Sequence, residues 1–140
     1  MGSPKNLLVI DGQGGNIGRQ VIEAVLKNKP AVHLVAVGTN SAATANMLKG
    51  GAALAATGEN AVRVHSRRAD VIVGPIGIII ADALLGETTP TMALAVAQSD
   101  AKKILIPVNR CETLVAGTMG RSLGELIEDA VQLALSALTE

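Results

Sequence analysis

The chain contains no Phe, Tyr or Trp in its 140 residues, so its core has to be built from Ala, Val, Ile and Leu. Such side chains permit close contact between helix and sheet, although each buries less area than an aromatic ring. The same absence removes the ring platforms on which single-stranded nucleic acid stacks. Charge of one sign is also missing: Lys plus Arg and Asp plus Glu stand at 12 each. A balanced chain lacks the electrostatic footprint for nucleic acid or an anionic membrane, and neither is expected as a partner. Cysteine is nearly absent, and the single Cys111 allows no intrachain disulfide. That cysteine and the distant His33 and His65 lack the spacing of zinc ligands, so no metal site is expected. No apolar run reaches the roughly 18 residues of a membrane span, and no signal peptide is visible. A cytoplasmic protein is therefore expected. Its length and 49% hydrophobic content suit one domain over residues 1–140 with a real core. An oligomeric interface would add stability, which leaves a homo-oligomer open.

The apolar residues that are present fall into an alternating order of elements. Leu7–Ile10 is a short continuous apolar run ending in glycines, as in a strand buried on both faces. Ile17–Lys29 places Ile17, Val21, Ala24 and Val25 on one helical face and stops at Asn28 and Pro30. Val32–Val37 reads as a second strand. Asn40 or Ser41 then caps a helix running to Lys49, with Gly50-Gly51 as its stop. Residues 52–60 are Ala- and Gly-rich and show no period. Ala61–His65 reads as a short strand, with Arg67 and Arg68 in the loop behind it. Val71–Val73 is a further strand ended by Gly74-Pro75. Ile76–Leu85 is either helix or buried extended chain, since periodicity does not separate the two. Thr89-Pro90 opens a helix to Gln98 as N-cap and first helical position. Lys103–Val108 is another buried strand. Ser122 and Glu125 form a capping box for a last helix whose apolar stripe runs from Leu123 to Leu138. Strands alternating with helices predict an α/β fold, a Rossmann-like three-layer sandwich with a mainly parallel sheet.

The first strand runs into Asp11-Gly12-Gln13-Gly14-Gly15-Asn16-Ile17-Gly18. Gly12, Gly15 and Gly18 have a Gly-x-x-Gly-x-x-Gly spacing between a predicted strand and a predicted helix, the context that gives such a triplet weight. The first glycine suits a sharp turn, the middle ones let backbone amides approach a phosphate, and the last lets helix and strand pack closely. An anion would then sit on free amides at the positive end of the helix dipole. A tight turn without a ligand is the alternative. No Gly-Lys-Ser/Thr follows, so this is not a P-loop. The spacing resembles that of extended short-chain dehydrogenases and atypical NADP-binding proteins, whose runs end in Ile-Gly-Arg as Ile17-Gly18-Arg19 does here. That resemblance covers about the first 30 residues and implies NAD or NADP as a cofactor, with another nucleotide also open. It breaks where the second strand ends in Gly38-Thr39-Asn40 instead of a ribose-binding carboxylate. Without any Tyr, the Tyr-Lys pair of that family is absent, which speaks against its hydride transfer.

Three further turns are expected at the same sheet edge: Gly38-Thr39-Asn40-Ser41, Gly74-Pro75-Ile76-Gly77 and Pro107-Val108-Asn109-Arg110. Thr39, Asn40 and Ser41 begin a helix and offer a second anion site, or serve only as its cap. Arg110 has the fork to clamp a phosphate or carboxylate, or pairs with Glu112 in solvent. Asn109 binds or merely shapes the turn. The Gly38-Thr39 turn is loosely similar to the phosphate-binding turn of the methylglyoxal-synthase-like fold. Over nearly its whole length the chain resembles a small bacterial family known as a domain of unknown function. The matching stretches are Val9–Gly15, Gly38–Ser41, Thr57–Ala61, Gly74–Gly77 and Ile106–Cys111. That resemblance implies a Rossmann-like fold and carries no activity.

Asp11, Glu59, Asp82 and Glu87 are the acids nearest the loop ends. Asp11 either meets a ligand or bonds the loop amides. His65, Arg63, Arg67 and Arg68 form a basic cluster best read as a solvated face. Cys111 beside Arg110 is a thiolate candidate or a small half-buried residue. No constellation fixes a reaction. Three readings follow: a binder or sensor of a nucleotide, dinucleotide or other phosphorylated small molecule; a small enzyme on a phosphorylated or carboxylated metabolite, using Asp11, Asn40, Asn109 and Arg110; and a non-catalytic oligomeric scaffold. The candidate ligand-binding residues are Gly12, Gln13, Gly14, Gly15, Asn16, Ile17, Gly18, Thr39, Asn40, Ser41, Gly74, Pro75, Asn109 and Arg110.

Overall fold

Strand β1 (Lys5–Asp11) runs through the centre of the molecule, and its apolar run divides between two cores. Leu7 and Val9 join the cluster on one face of the sheet, while Leu8 and Ile10 join the cluster on the other. Burial on both faces is why the run is continuous rather than alternating. In the computed structural model, which describes residues 3–108 and 113–140, β1 is followed by α1 (Asn16–Lys27), β2 (Val32–Gly38) and α2 (Ser41–Lys49). Then come β3 (Leu54–Thr57), α3 (Glu59–Arg68), β4 (Val71–Pro75) and a 3₁₀ turn over Ile76–Ile79. The order closes with α4 (Pro90–Gln98), β5 (Lys102–Ile106) and α5 (Leu123–Leu138).

Among the described residues the strands form one five-stranded sheet, all parallel, in the order β3-β2-β1-β4-β5. Helices α1, α2 and α5 cover one face through Val21, Ile22, Val25, Met47, Ile127 and Val131. Helices α3 and α4 cover the other through Val62, Met92 and Val96. The result is the expected Rossmann-like sandwich. Each fully buried aliphatic side chain in these layers contributes about 1.5–3 kcal/mol. From β1 the chain winds outward to β2 and β3, then returns to place β4 and β5 on the other side. The crevice beyond the carboxyl ends of β1 and β4 is therefore the topological switch point.

Several sequence expectations change. The strand expected over Ala61–His65 is helix, and Arg67 and Arg68 lie in its last turn rather than in a loop. The strand lies earlier, in the Ala-rich Leu54–Thr57. Only Val62 and Ser66 of α3 are buried, an i, i+4 pair that one helical face brings together. Gly74 and Pro75 belong to β4 rather than ending it. Ile76–Leu85 is neither a helix nor extended chain, but a 3₁₀ turn followed by tight turns. β5 stops at Ile106, since Pro107 has no N–H to continue the ladder. The caps agree with expectation: Asn40 accepts from the Ala43 amide, Thr89 from that of Met92, and Ser122 with Glu125 completes its capping box.

Candidate functional site

The site is built where β1 turns into α1. Asp11, the last residue of β1, is buried, and its carboxylate faces back along the glycine turn. Oδ1 accepts from the Gly12 amide at 2.8 Å and Oδ2 from the Gly18 amide at 2.7 Å. Burial pushes this carboxyl above the ordinary carboxylate range; the Gly18, Gly12 and Ile17 amides pull it back, and the charge of Glu87 pushes it up again. Of the two roles foreseen for Asp11, the structure gives it the loop-bonding one. The amide of Gly18 is thus held by the chain's own carboxylate.

The glycines divide the work differently from expectation. Gly15 has φ of 75°, and a Cβ there would stand 2.6 Å from the Ala43 carbonyl oxygen of α2. It serves the contact between the start of α1 and α2. A Cβ at Gly18 would meet the Met47 sulfur at 2.6 Å and Asp11 Cβ at 2.9 Å, the close helix–strand packing expected of the last glycine. Gly14 has open space around it.

The turn is pinned from several sides. Gln13 takes a left-handed φ of 49°; its carbonyl accepts from Asn40 Nδ2 at 3.0 Å, and the Gly14 carbonyl accepts from Asn46 Nδ2, also at 3.0 Å. The Gly15 amide closes onto the Gly12 carbonyl at 2.9 Å. What remains is a rim. Among the described residues, the amides of Gly14 and Asn16 have no hydrogen-bond partner, and both residues are exposed.

A second carboxylate stands over this turn. Glu87 Oε1 accepts from the Gln13 amide at 2.7 Å, Thr39 Oγ1 at 2.7 Å and Asn40 Nδ2 at 2.9 Å. Partial desolvation alone would raise its pKa, but these three donors outweigh that and hold it below the ordinary value. The donors come from the β1–α1 and β2–α2 turns, the acceptor from the segment between β4 and α4. Three loops at one sheet edge thus converge on one oxygen.

Of the predicted site residues, Gln13, Thr39 and Asn40 meet at Glu87, with Gly12 beneath them: a Cβ there would lie 2.7 Å from Thr39 Oγ1 and 2.8 Å from Glu87 Oε1. Gly14 and Asn16 form the open rim, while the Gly18 amide faces inward on Asp11 and Ile17 packs against the core. Ser41 is exposed at the start of α2. Gly74 and Pro75 are buried at the end of β4, where a Cβ on Gly74 would strike the Ile10 carbonyl oxygen at 2.4 Å. They shape the crevice floor and do not join the Glu87 cluster. Asn109, Arg110, Cys111 and Glu112 lie outside the described residues.

A family model described as "Domain of unknown function (DUF3842)" matches residues 6–139. The chain belongs to this family. No curated protein matches it. A solved structure to which it is similar is described as that of a probable oxidoreductase from Mycobacterium abscessus, at 19% identity and a TM-score of 0.48. The alignment covers 99% of this chain and 44% of that one, so the chain spans less than half the length of that protein.

Within this family member, the remaining candidates do not join the Glu87 cluster. Glu59 Oε2 accepts from Thr89 Oγ1 at 2.6 Å, tying the starts of α3 and α4 together. Asp82 is exposed. The basic cluster of α3 ends at the opposite edge of the sheet, where the Arg68 carbonyl accepts from Asn6 at the start of β1. Sequence reasoning named Glu87 among the loop-end acids but did not bring it to the site. The available signal was its place in the segment following a predicted strand, where the carboxyl edge gathers ligand groups.

Among the described residues, no helix is long and apolar enough to cross a membrane.

Proposed function

We propose that this chain acts as one cytoplasmic domain that binds a nucleotide, dinucleotide or other phosphorylated small molecule in the crevice at the switch point. The observation that carries this reading is that Gly14 and Asn16 are exposed and that their amides are unpartnered among the described residues, on a turn held by Asp11, Asn40, Asn46 and Glu87. A preorganised pair of donors at the positive end of α1 suits a phosphoryl oxygen, since no further ordering of the turn is needed on binding. The neighbouring Thr39 and Asn40 suit the sugar or a second phosphoryl group. With both Asp11 oxygens engaged by backbone amides, a reaction that uses Asp11 as its base is not favoured, and a binding or sensing role is.

The test is thermal stability of the full chain against NAD, NADP, ATP, ADP and a sugar phosphate. A ligand present at about 100 times its Kd raises stability by about 2.7 kcal/mol. At least one of these compounds should produce a shift, and Gly14→Val should abolish it while keeping the ligand-free melting point. A wild-type chain that shifts with none of them contradicts the reading.

A further inference from the structure

The segment 80–88 crosses the mouth of the crevice as a strap, and it holds unfavourable features in place. Asp82, Leu84 and Leu85 all have left-handed φ values, 68°, 57° and 57°, which side-chain-bearing residues seldom adopt. Leu85 is 93% exposed. Thr88 is buried with its hydroxyl unpartnered among the described residues, in a tight space shared with Ile10, Thr39 and Ile78. Backbone conformation and the buried Thr88 hydroxyl both favour release of this segment. Against them stand the backbone hydrogen bonds within the segment, the buried Ala83, and three hydrogen bonds to one oxygen of Glu87, the ones that reach the neighbouring turns. They tie the strap to the same two turns that the proposed ligand would use.

The donor set has a chemical meaning of its own. A backbone amide, a hydroxyl and a carboxamide N–H converging on one oxygen form a seat for an anion, and Glu87 fills it with a carboxylate. We propose that Glu87 is an internal occupant of a second anion seat, formed by Gln13, Thr39 and Asn40, which a phosphoryl group of the ligand displaces as the strap opens. This rests on the reading of the crevice as a phosphate-binding site. A ligand phosphoryl at the Gly14–Asn16 rim would approach two carboxylates, Asp11 and Glu87. Asp11 is buried in the floor of the turn, whereas Glu87 is partly exposed on a strained strap. Only Glu87 is placed to leave. Its departure frees three donors for the incoming anion and relieves the repulsion between the two.

The test measures ADP and NAD affinity by calorimetry on the full chain for wild type, Glu87→Gln and Glu87→Ala, each checked by its ligand-free melting curve. Glutamine keeps a neutral acceptor on the seat, so it should tighten binding of the better probe modestly; alanine should tighten it by about tenfold or more. Hydrogen exchange at the Gly86, Glu87 and Thr88 amides, which bond within the strap to Asp82, Leu84 and Ala83, should quicken when the probe binds to wild type. Probe binding that is unchanged or weakened in Glu87→Ala would overturn this proposal and leave the phosphate-binding reading standing. A weakened Glu87→Ala would make Glu87 a direct ligand contact, for instance to ribose hydroxyls. Strap amides that exchange no faster with bound probe would also overturn it. Binding of neither probe by any of the three proteins would remove both claims.

Discussion

Two carboxylates hold the same glycine turn, one from beneath and one from above, and they differ in almost every physical respect. Asp11 lies at the end of β1, 4% exposed, and bonds amides no more than seven residues away. Glu87 reaches 74 residues back to the Gln13 amide and remains partly exposed. Burial drives the Asp11 carboxyl above its ordinary range, whereas hydrogen bonds hold Glu87 below its own. A buried acid with no water to retreat to belongs to the framework. An accessible acid on a strained segment can exchange its donors for another anion. The floor of the turn is architecture, and its roof is a contact that can be replaced.

The comparison can be broken first on the floor. Gly15→Val puts a branched side chain at a left-handed φ and into the backbone of α2, where a Cβ alone lies 2.6 Å from an oxygen that cannot move freely. A loss of about 3–4 kcal/mol is expected from overpacking and conformational strain together, read from denaturant unfolding. Gly15 therefore reports on packing, and Gly14, with open space around it, is the position that reports on a ligand. Asp11→Ala comes next. It leaves the Gly12 and Gly18 amides without an acceptor in a buried setting, at a cost of about 2 kcal/mol, since removal of a buried charge offsets part of the loss. A melting temperature unchanged in Asp11→Ala would show that the floor is not held as described.

The roof gives smaller effects. Glu87→Gln should lower stability by no more than about 1 kcal/mol near pH 7, because a neutral acceptor still occupies the seat. The sign of its pH dependence follows from the direction of the shift. A carboxyl held below its ordinary value of 4.5 stabilises the fold fully above that pH and loses this contribution as pH falls through its folded value. Asp11 runs the other way: held above its ordinary value of 3.8, it favours the fold when protonated, and its contribution declines as pH rises through the folded value. The gap in melting temperature between wild type and Glu87→Gln should accordingly narrow from about pH 7 to about pH 3. A gap that widens on acidification would contradict the assignment. The smallest effect is that of Gly14→Val on the ligand-free fold, within about 0.5 kcal/mol.

Much of the floor was legible in the sequence, and little of the roof. Continuous apolar runs announced β1, β2 and β4, and Asn40, Thr89, Ser122 and Glu125 announced helix starts through chemistry confined to a few neighbouring residues. β3 was hidden because Leu54–Thr57 is a short edge strand made largely of alanine, with Leu54 65% exposed. It presents neither a buried run nor an alternation. The neighbouring α3 looked like a strand because Val62 and Val64 sit at period two, yet burial selects Val62 and Ser66 instead. The strap was illegible for another reason: nothing in Asp82, Leu84 or Leu85 advertises a left-handed backbone, which tertiary contacts impose. Glu87 was visible as an acid near a loop end. Its bonds to residues 13, 39 and 40 depend on the order of strands, which places the β4–α4 segment across the end of β1.

The central claim is that the exposed rim of the glycine turn receives a phosphoryl group. It is tested most directly by following backbone amide resonances of the full chain as ADP or NAD is added. The account predicts the largest shifts at Gly14 and Asn16, followed by Gln13, Thr39 and residues 82–88 as the strap yields. Shifts that avoid the turn and gather elsewhere, as in the groove between β5 and α5 lined by Lys103, Leu126 and Leu133, would contradict it.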